Sequence, residues 1–177
     1  MEYPWYDTTS FDTVLMQGDF IPECPIVIPP NSTKEKYRIQ HFNTVVLSQS
    51  CDLVANKIDI VLVSPYYPLK YFIDNLPEER NKNKPARNKV REELRKNIML
   101  GYHLLDKDSR YFDDYQVVDL KSVYGVKLET LKSIVKPREN RIRLLPPYRE
   151  HLSQSFAYYF MRVGLPQDIS FEKEFLW

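Results

Sequence analysis

Two apolar runs rich in β-branched residues lie close together in this chain. The first, Val45-Val46-Leu47-Ser48, leads into the polar cluster Gln49-Ser50-Cys51-Asp52. After the short link Val54-Ala55-Asn56-Lys57 the second follows, Ile58-Asp59-Ile60-Val61-Leu62-Val63-Ser64-Pro65. Runs of this kind, split by a few polar residues, predict paired strands at the centre of a small barrel or sheet. The polar exit of the first strand is then the natural place to look for a site.

The neighbouring segments extend this sheet. Gln17 to Ile21 starts a strand, Pro22 interrupts it, and Cys24 to Ile28 resumes it. Proline cannot donate to a ladder, so the strand must bulge or lie at an edge there. Lys34 to Phe42 is a polar approach to the Thr44–Ser48 strand, and Pro65-Tyr66-Tyr67-Pro68 is expected to stop the third strand. Residues 1–16 read as an irregular aromatic arm, with Trp5, Tyr6 and Phe11 tucked onto the domain.

The second half alternates helix and strand signals. Leu69 to Leu76 predicts a short helix, 77–85 a polar loop, and Ala86 to Tyr102 a helix whose stripe is Ala86, Val90, Leu94 and Ile98. Tyr102–Leu105, Tyr115–Leu120, Val123–Val126 and Arg141–Leu145 are candidate strands, and Leu128 to Val135 a helical turn or two. Pro146-Pro147 opens a helix from Tyr148 to Val163 with Leu152, Phe156, Tyr159, Phe160 and Val163 on one face, capped by Gly164. The expected organisation is a single α+β domain over 1–177. The arm occupies 1–16, the barrel and last helix 17–68 and 103–163, a basic helical insertion 69–102, and a tail 164–177.

Composition narrows the function classes. The formal net charge is +1 over 177 residues, so an electrostatic partner must be met by a local patch. Thirteen Pro against four Gly imply stiff connections. Two cysteines, Cys24 and Cys51, without a close pair, leave no zinc cluster, and no cofactor is expected. The N-terminus carries no signal-peptide pattern and no apolar run reaches the ~20 residues of a membrane span, so a cytoplasmic protein is expected.

Four constellations could carry chemistry. In the Ser48–Asp52 cluster, Cys51 or a serine is a candidate nucleophile with His41 or His103 as base. Equally, Asp52 and Ser50 can hydrogen-bond their own backbone at a strand end, with Cys51 a small buried residue. Of His41, His103 and His151, none sits in a metal spacing, and His41 lies beside Arg38 in a polar segment. Arg80, Lys82, Lys84, Arg87, Lys89, Arg91, Arg95 and Lys96 form a basic patch with Tyr66, Tyr67 and Tyr71 upstream. Such a patch suits phosphates and stacked unpaired bases, an acidic protein, or simply solvent. The aromatic excess on the last helix, including Tyr158, is either core or a partner surface.

The order of these segments resembles the MazF/PemK toxin family of toxin–antitoxin systems. Gly18-Asp19-Phe20-Ile21 is similar to the family's opening Gly-Asp strand, Val45-Val46-Leu47-Ser48 to its Val-rich strand ending in serine, and Ile60 to Pro65 to its strand ending near proline. Val117 to Leu120 and Leu128 to Leu131 resemble the later strand and short helix. The resemblance covers roughly residues 17–68 and 115–163. It implies a small Src-homology-3-like β-barrel and a metal-independent endoribonuclease neutralised by an antitoxin.

The resemblance also implies a site. The family's arginine matches Arg38 most nearly; with His41 or Ser50, read from their polar surroundings, as assisting groups, the candidate catalytic residues are Arg38, His41 and Ser50. Where the family places a Thr or Ser after the proline, Tyr66 and Tyr67 stand here. That departure favours a defence-type protein that binds a regulatory or antitoxin-like protein partner, or single-stranded RNA, without efficient cleavage. Gln49, Asp52, Tyr66, Tyr67, Arg87 and Arg91 are the candidate binding residues. An active ribonuclease and a Cys51-dependent hydrolase are the alternatives, and a homodimer is left open.

Overall fold

A computed structural model describes residues 3–10, 14–32, 36–136 and 140–161. The fold is mixed α+β, with an antiparallel sheet and several helices. Its spine is β4 (Ile60–Pro68), whose two edges are both paired. On one edge lies β3 (Arg38–Val46), with Val45 opposite Ser64. On the other, β7 (Tyr124–Lys127) pairs along Ile60 to Val63, and β6 (Gln116–Asp119) takes over from Tyr66 to Pro68. β2 (Phe20–Ile28) adds to β3, and β5 (Tyr102–Leu105) adds to β6. Among the described strands the path β2-β3-β4-β6-β5 is open, with no pairing that closes β5 onto β2.

The two central apolar runs therefore pair as expected, but their boundaries differ. Pro65 to Pro68 does not stop the strand. Pro65 sits where β3 pairing ends and the opposite edge passes from β7 to β6, a gap in the ladder that tolerates a missing N–H. Pro22 has the predicted effect: the register shifts between Ile21 and Cys24, and Glu23 adopts φ 54° in the bulge.

The N-terminal arm is not irregular. β1 (Tyr6–Ser10) pairs with β8 (Asn140–Leu144) in a separate two-stranded sheet. Tyr6 and Leu144 are both buried, so the pairing also buries the arm's aromatic end. The expected tucking of Trp5 is present, its ring stacked on Tyr148 with centroids 3.6 Å apart. Phe11 lies outside the described residues.

Helices cover both faces. α2 (Leu69–Asp74), α3 (Glu78–Asn81) and α4 (Lys84–Arg95) lie over β4–β6–β5, burying Leu69, Phe72, Ile73, Val90 and Leu94 around Val117. The segment read as a 77–85 loop thus contains α3, and Asn83 caps α4 by accepting from the Ala86 N–H at 2.9 Å. α4 ends at Arg95, earlier than its apolar period implies, because Asn97 turns the chain at φ 53°; Ile98 is left 61% exposed. α5 (Leu128–Val135) closes a core of Ile21, Ile26, Val46, Val61, Val63 and Val126. α6 (Tyr148–Phe160) packs Leu152 against Phe20, Val45, Tyr66 and Val118 on the opposite face. Val163 and the 164–177 tail lie outside the described residues.

Candidate functional site

Val45 and Val46 are completely buried and Leu47 is also in the core, so the chain leaves the core at Ser48. The polar exit that follows is not a plain turn. Ser50 to Val54 forms the short helix α1, with Gln49 in extended backbone at its N-cap. Ser48 Oγ accepts the Leu62 N–H at 2.8 Å and Ser50 Oγ accepts the Gln17 N–H at 3.2 Å. Both hydroxyls therefore fasten backbone rather than face a substrate.

Cys51 is exposed. Its thiol lies 3.6 Å from Gln49 Oε1 and 3.8 Å from Asp52 Oδ1. A nucleophilic thiol needs a base or cation beside it. Neither the Gln49 amide oxygen nor the Asp52 carboxylate supplies the positive charge that stabilises a thiolate, and no histidine is among these partners.

Arg38 and His41 lie far from that exit. They occupy the distal part of β3, opposite Ile28 and Pro25, and both are exposed. Arg38 and Val46 are separated by the length of β3, about 26 Å of extended chain at ~3.3 Å per residue. The trio Arg38, His41 and Ser50 is therefore spread along one strand and past its end. Among the described residues no hydrogen bond or ion pair joins any two of them.

Tyr66 is corrected from a binding residue to a core residue. Its ring is buried and meets Phe20 edge-on at 5.1 Å and Phe112 at 5.8 Å. Continuing β4 through Pro65 carries it inward. Tyr67, one residue on, faces the other side of the sheet. It is half-buried and stacks on Tyr71 with centroids 5.7 Å apart. Burial, then the nearby Asp119 carboxylate, pushes the Tyr67 hydroxyl pKa up to about 12. Tyr71 is 54% exposed, so the stack presents one open ring face.

The basic patch is partly spent in ion pairs. Arg80 meets Glu93, Arg87 meets Asp74, and Arg95 meets Glu92 at 2.8 Å. Arg91 is exposed and donates to Asn88 at 2.9 Å. Helical spacing places Lys84, Arg87, Arg91 and Arg95 on one flank of α4. Asp74, which holds Arg87, is three residues from Tyr71 on α2, so the stacked tyrosines adjoin the start of this cationic row.

Two further constellations were not legible in the sequence. Asp19 is fully buried and accepts from Arg141 Nε at 3.0 Å and from the Arg143 guanidinium. The Gly-Asp pair at the start of β2 thus anchors β8. The signal available was Arg141-Ile142-Arg143, two arginines on one face of a strand, which require an acid if that face is covered.

The second is His103, only 6% exposed, with Nδ1 2.8 Å from Ser155 Oγ on α6. Burial, helped by the neighbouring His151, lowers the His103 pKa to about 4, so the ring is neutral near pH 7. His103 and Ser155 stand between two cavities that share Asn97, one of about 360 Å³ reaching His151 and one of about 300 Å³ reaching Tyr158 and Tyr159. Gly101 sits at the second, with φ 91° and Tyr159 so close that a Cβ would meet its ring at 2.9 Å.

Among the described residues no group of three His, Cys, Asp or Glu side chains is placed to hold a metal ion, and no helix is long and apolar enough to cross a membrane. Comparison with known proteins finds no matching family model and no matching curated protein.

Proposed function

We propose that this chain is a prokaryotic defence or toxin–antitoxin-type protein on a divergent MazF/PemK-like scaffold, and that it holds single-stranded RNA without efficient cleavage. The antiparallel β2–β3–β4 core with a bulged first strand supports the scaffold assignment, and the scatter of Arg38, His41 and Ser50 supports binding over catalysis. Cleavage by the RNA 2′-hydroxyl needs a proton carrier and a cation on one phosphate, within hydrogen-bond reach.

The observation that carries the RNA reading is the joining of the Tyr67–Tyr71 stack to the α4 row through the Asp74–Arg87 pair. Aromatic platforms beside a cationic track are how single strands are held with little sequence preference. The row from Arg87 to Arg95 extends about 12 Å at 1.5 Å per residue, a length that serves more than one phosphate. The exposed Tyr71 ring beside this row offers an unpaired base a stacking surface.

The test is fluorescence anisotropy with a labelled single-stranded RNA, the strand being recovered intact afterwards. Arg91→Glu and Tyr71→Ala each weaken binding. Metal-independent cleavage that is lost in Arg38→Ala selects the active-ribonuclease alternative.

A further inference from the structure

The cavity of about 360 Å³ lies between the end of α4, strand β5 and helix α6. Its size falls within the ~300–1,000 Å³ of ordinary small-molecule sites. Its walls combine apolar and aromatic surface from Leu104 and Tyr115 with polar groups from Arg95, Asn97, His103 and Asp106. His151, exposed on α6, also lines it.

His103 makes this more than a surface dent. The side chain is nearly all buried, yet it faces the cavity. Ser155 occupies Nδ1. Nε2 makes no hydrogen bond among the described residues and is not sealed from solvent, so it is open to a group entering the cavity. Whichever of the two groups carries the proton at Nδ1, the neutral ring offers one hydrogen-bonding position at Nε2.

The other polar groups sort by chemistry. Asp106 Oδ1 accepts the Lys107 N–H at 2.8 Å, and its carboxylate retains capacity for a ligand amine. Arg95 ends the cationic row of α4 and is tied to Glu92 in an exposed pair, which is weak and readily exchanged for a phosphate. Tyr115, over whose ring Lys107 Nζ stands 5.8 Å from the centroid, supplies aromatic surface to the cavity for a planar group.

We propose that this cavity binds a nucleotide whose base carries an exocyclic amine, with the base on Tyr115, its amine at Asp106, a ring nitrogen at His103 and its phosphate at Arg95. The phosphate end rests on the function proposed for α4. The nucleotide is either free or an unpaired residue of the RNA strand, and the two sources are separable by experiment.

Calorimetric titration of the full chain with AMP, CMP, GMP, UMP and ribose 5-phosphate tests the site. The three amine-bearing nucleotides bind at least about tenfold more tightly than UMP, the range of one hydrogen bond to a charged group. Asp106→Ala removes that preference while its main-chain carbonyl still accepts the Tyr6 hydroxyl. Thermal unfolding of the same variant confirms that it is folded, and Ser155→Ala, which frees the His103 ring, weakens the same nucleotides.

Tighter binding of a short RNA than of its abasic counterpart, with the difference abolished in Asp106→Ala, identifies the strand as the source. Saturable mononucleotide binding without that difference identifies a free nucleotide. The site is overturned if AMP, CMP and GMP bind no better than ribose 5-phosphate, or if Asp106→Ala leaves every affinity unchanged. If nucleotides fail while Arg91→Glu still abolishes RNA binding, the cavity proposal alone falls. If nucleotides bind and Arg91→Glu leaves RNA binding intact, the RNA reading alone falls.

Discussion

Arg141 and Asp19 are 122 residues apart in the chain, yet the arginine Nε donates to the carboxylate across 3.0 Å with both side chains buried. The pair, joined by Arg143, ties the start of β2 to β8 and so to the β1–β8 sheet. Removing one partner of a buried ion pair leaves the other charge desolvated. Asp19→Ala therefore costs about 3–5 kcal/mol, measurable as a fall in the urea midpoint without loss of cooperativity.

Tyr66 and Tyr71 have opposite roles despite their closeness in sequence. Tyr66→Ala empties the centre of the Phe20–Phe112 cluster and costs about 3–5 kcal/mol in denaturant unfolding. Tyr71→Ala removes an exposed ring and leaves stability within about 0.5 kcal/mol. Its effect falls on RNA affinity, by about 1–3 kcal/mol for a lost stacking contact.

His103 makes stability depend on pH. Its folded pKa, about 4, lies below the ordinary histidine value near 6.5, so the unfolded chain binds the extra proton between them. The contribution of the neutral buried ring is complete above about pH 6.5 and is lost as pH falls toward 4. The loss is on the order of 3 kcal/mol. Unfolding midpoints collected across that window fall with acid in the wild type and flatten in His103→Gln.

Asp74 restrains Arg87, the first arginine of the row that approaches the tyrosine stack. Asp74→Ala releases that guanidinium and tightens RNA binding, whereas Arg91→Ala weakens it. Salt titrations of affinity check this: the slope of log K against log salt becomes shallower by about one unit in Arg91→Ala, as for any lost phosphate contact.

Local signals were readable where local chemistry decides. The apolar runs at 45–48 and 58–64 specify the β3–β4 pairing, Pro22 specifies the bulge of β2, and Tyr102 to Leu105 forms β5 with the expected ends. Tertiary context decides the rest. Pro65 continues a strand because the ladder changes partner there, and β1 becomes a strand only because β8 is present to pair with it. α4 stops at Arg95 because the chain turns at Asn97, whose φ of 53° no apolar period reveals.

The sites show the same division. The basic row on α4 follows from spacing alone. The pairing of its Arg87 with Asp74 on α2 depends on folding, as does the burial of Tyr66. The Ser155–His103 contact joins residues 52 apart and has no sequence signature. A shared site for Arg38, His41 and Ser50 requires that they converge, whereas Arg38 begins the nine-residue β3 and Ser50 opens α1 beyond its far end.

The most direct test of the central claim is one titration of purified protein into labelled single-stranded RNA without metal, with binding followed by anisotropy and strand integrity by gel. Saturable binding to intact RNA, weakened by Arg91→Glu and by Tyr71→Ala and indifferent to Arg38→Ala, is the expected result. Cleavage that disappears in Arg38→Ala, or binding unchanged by both α4 and Tyr71 substitutions, contradicts it.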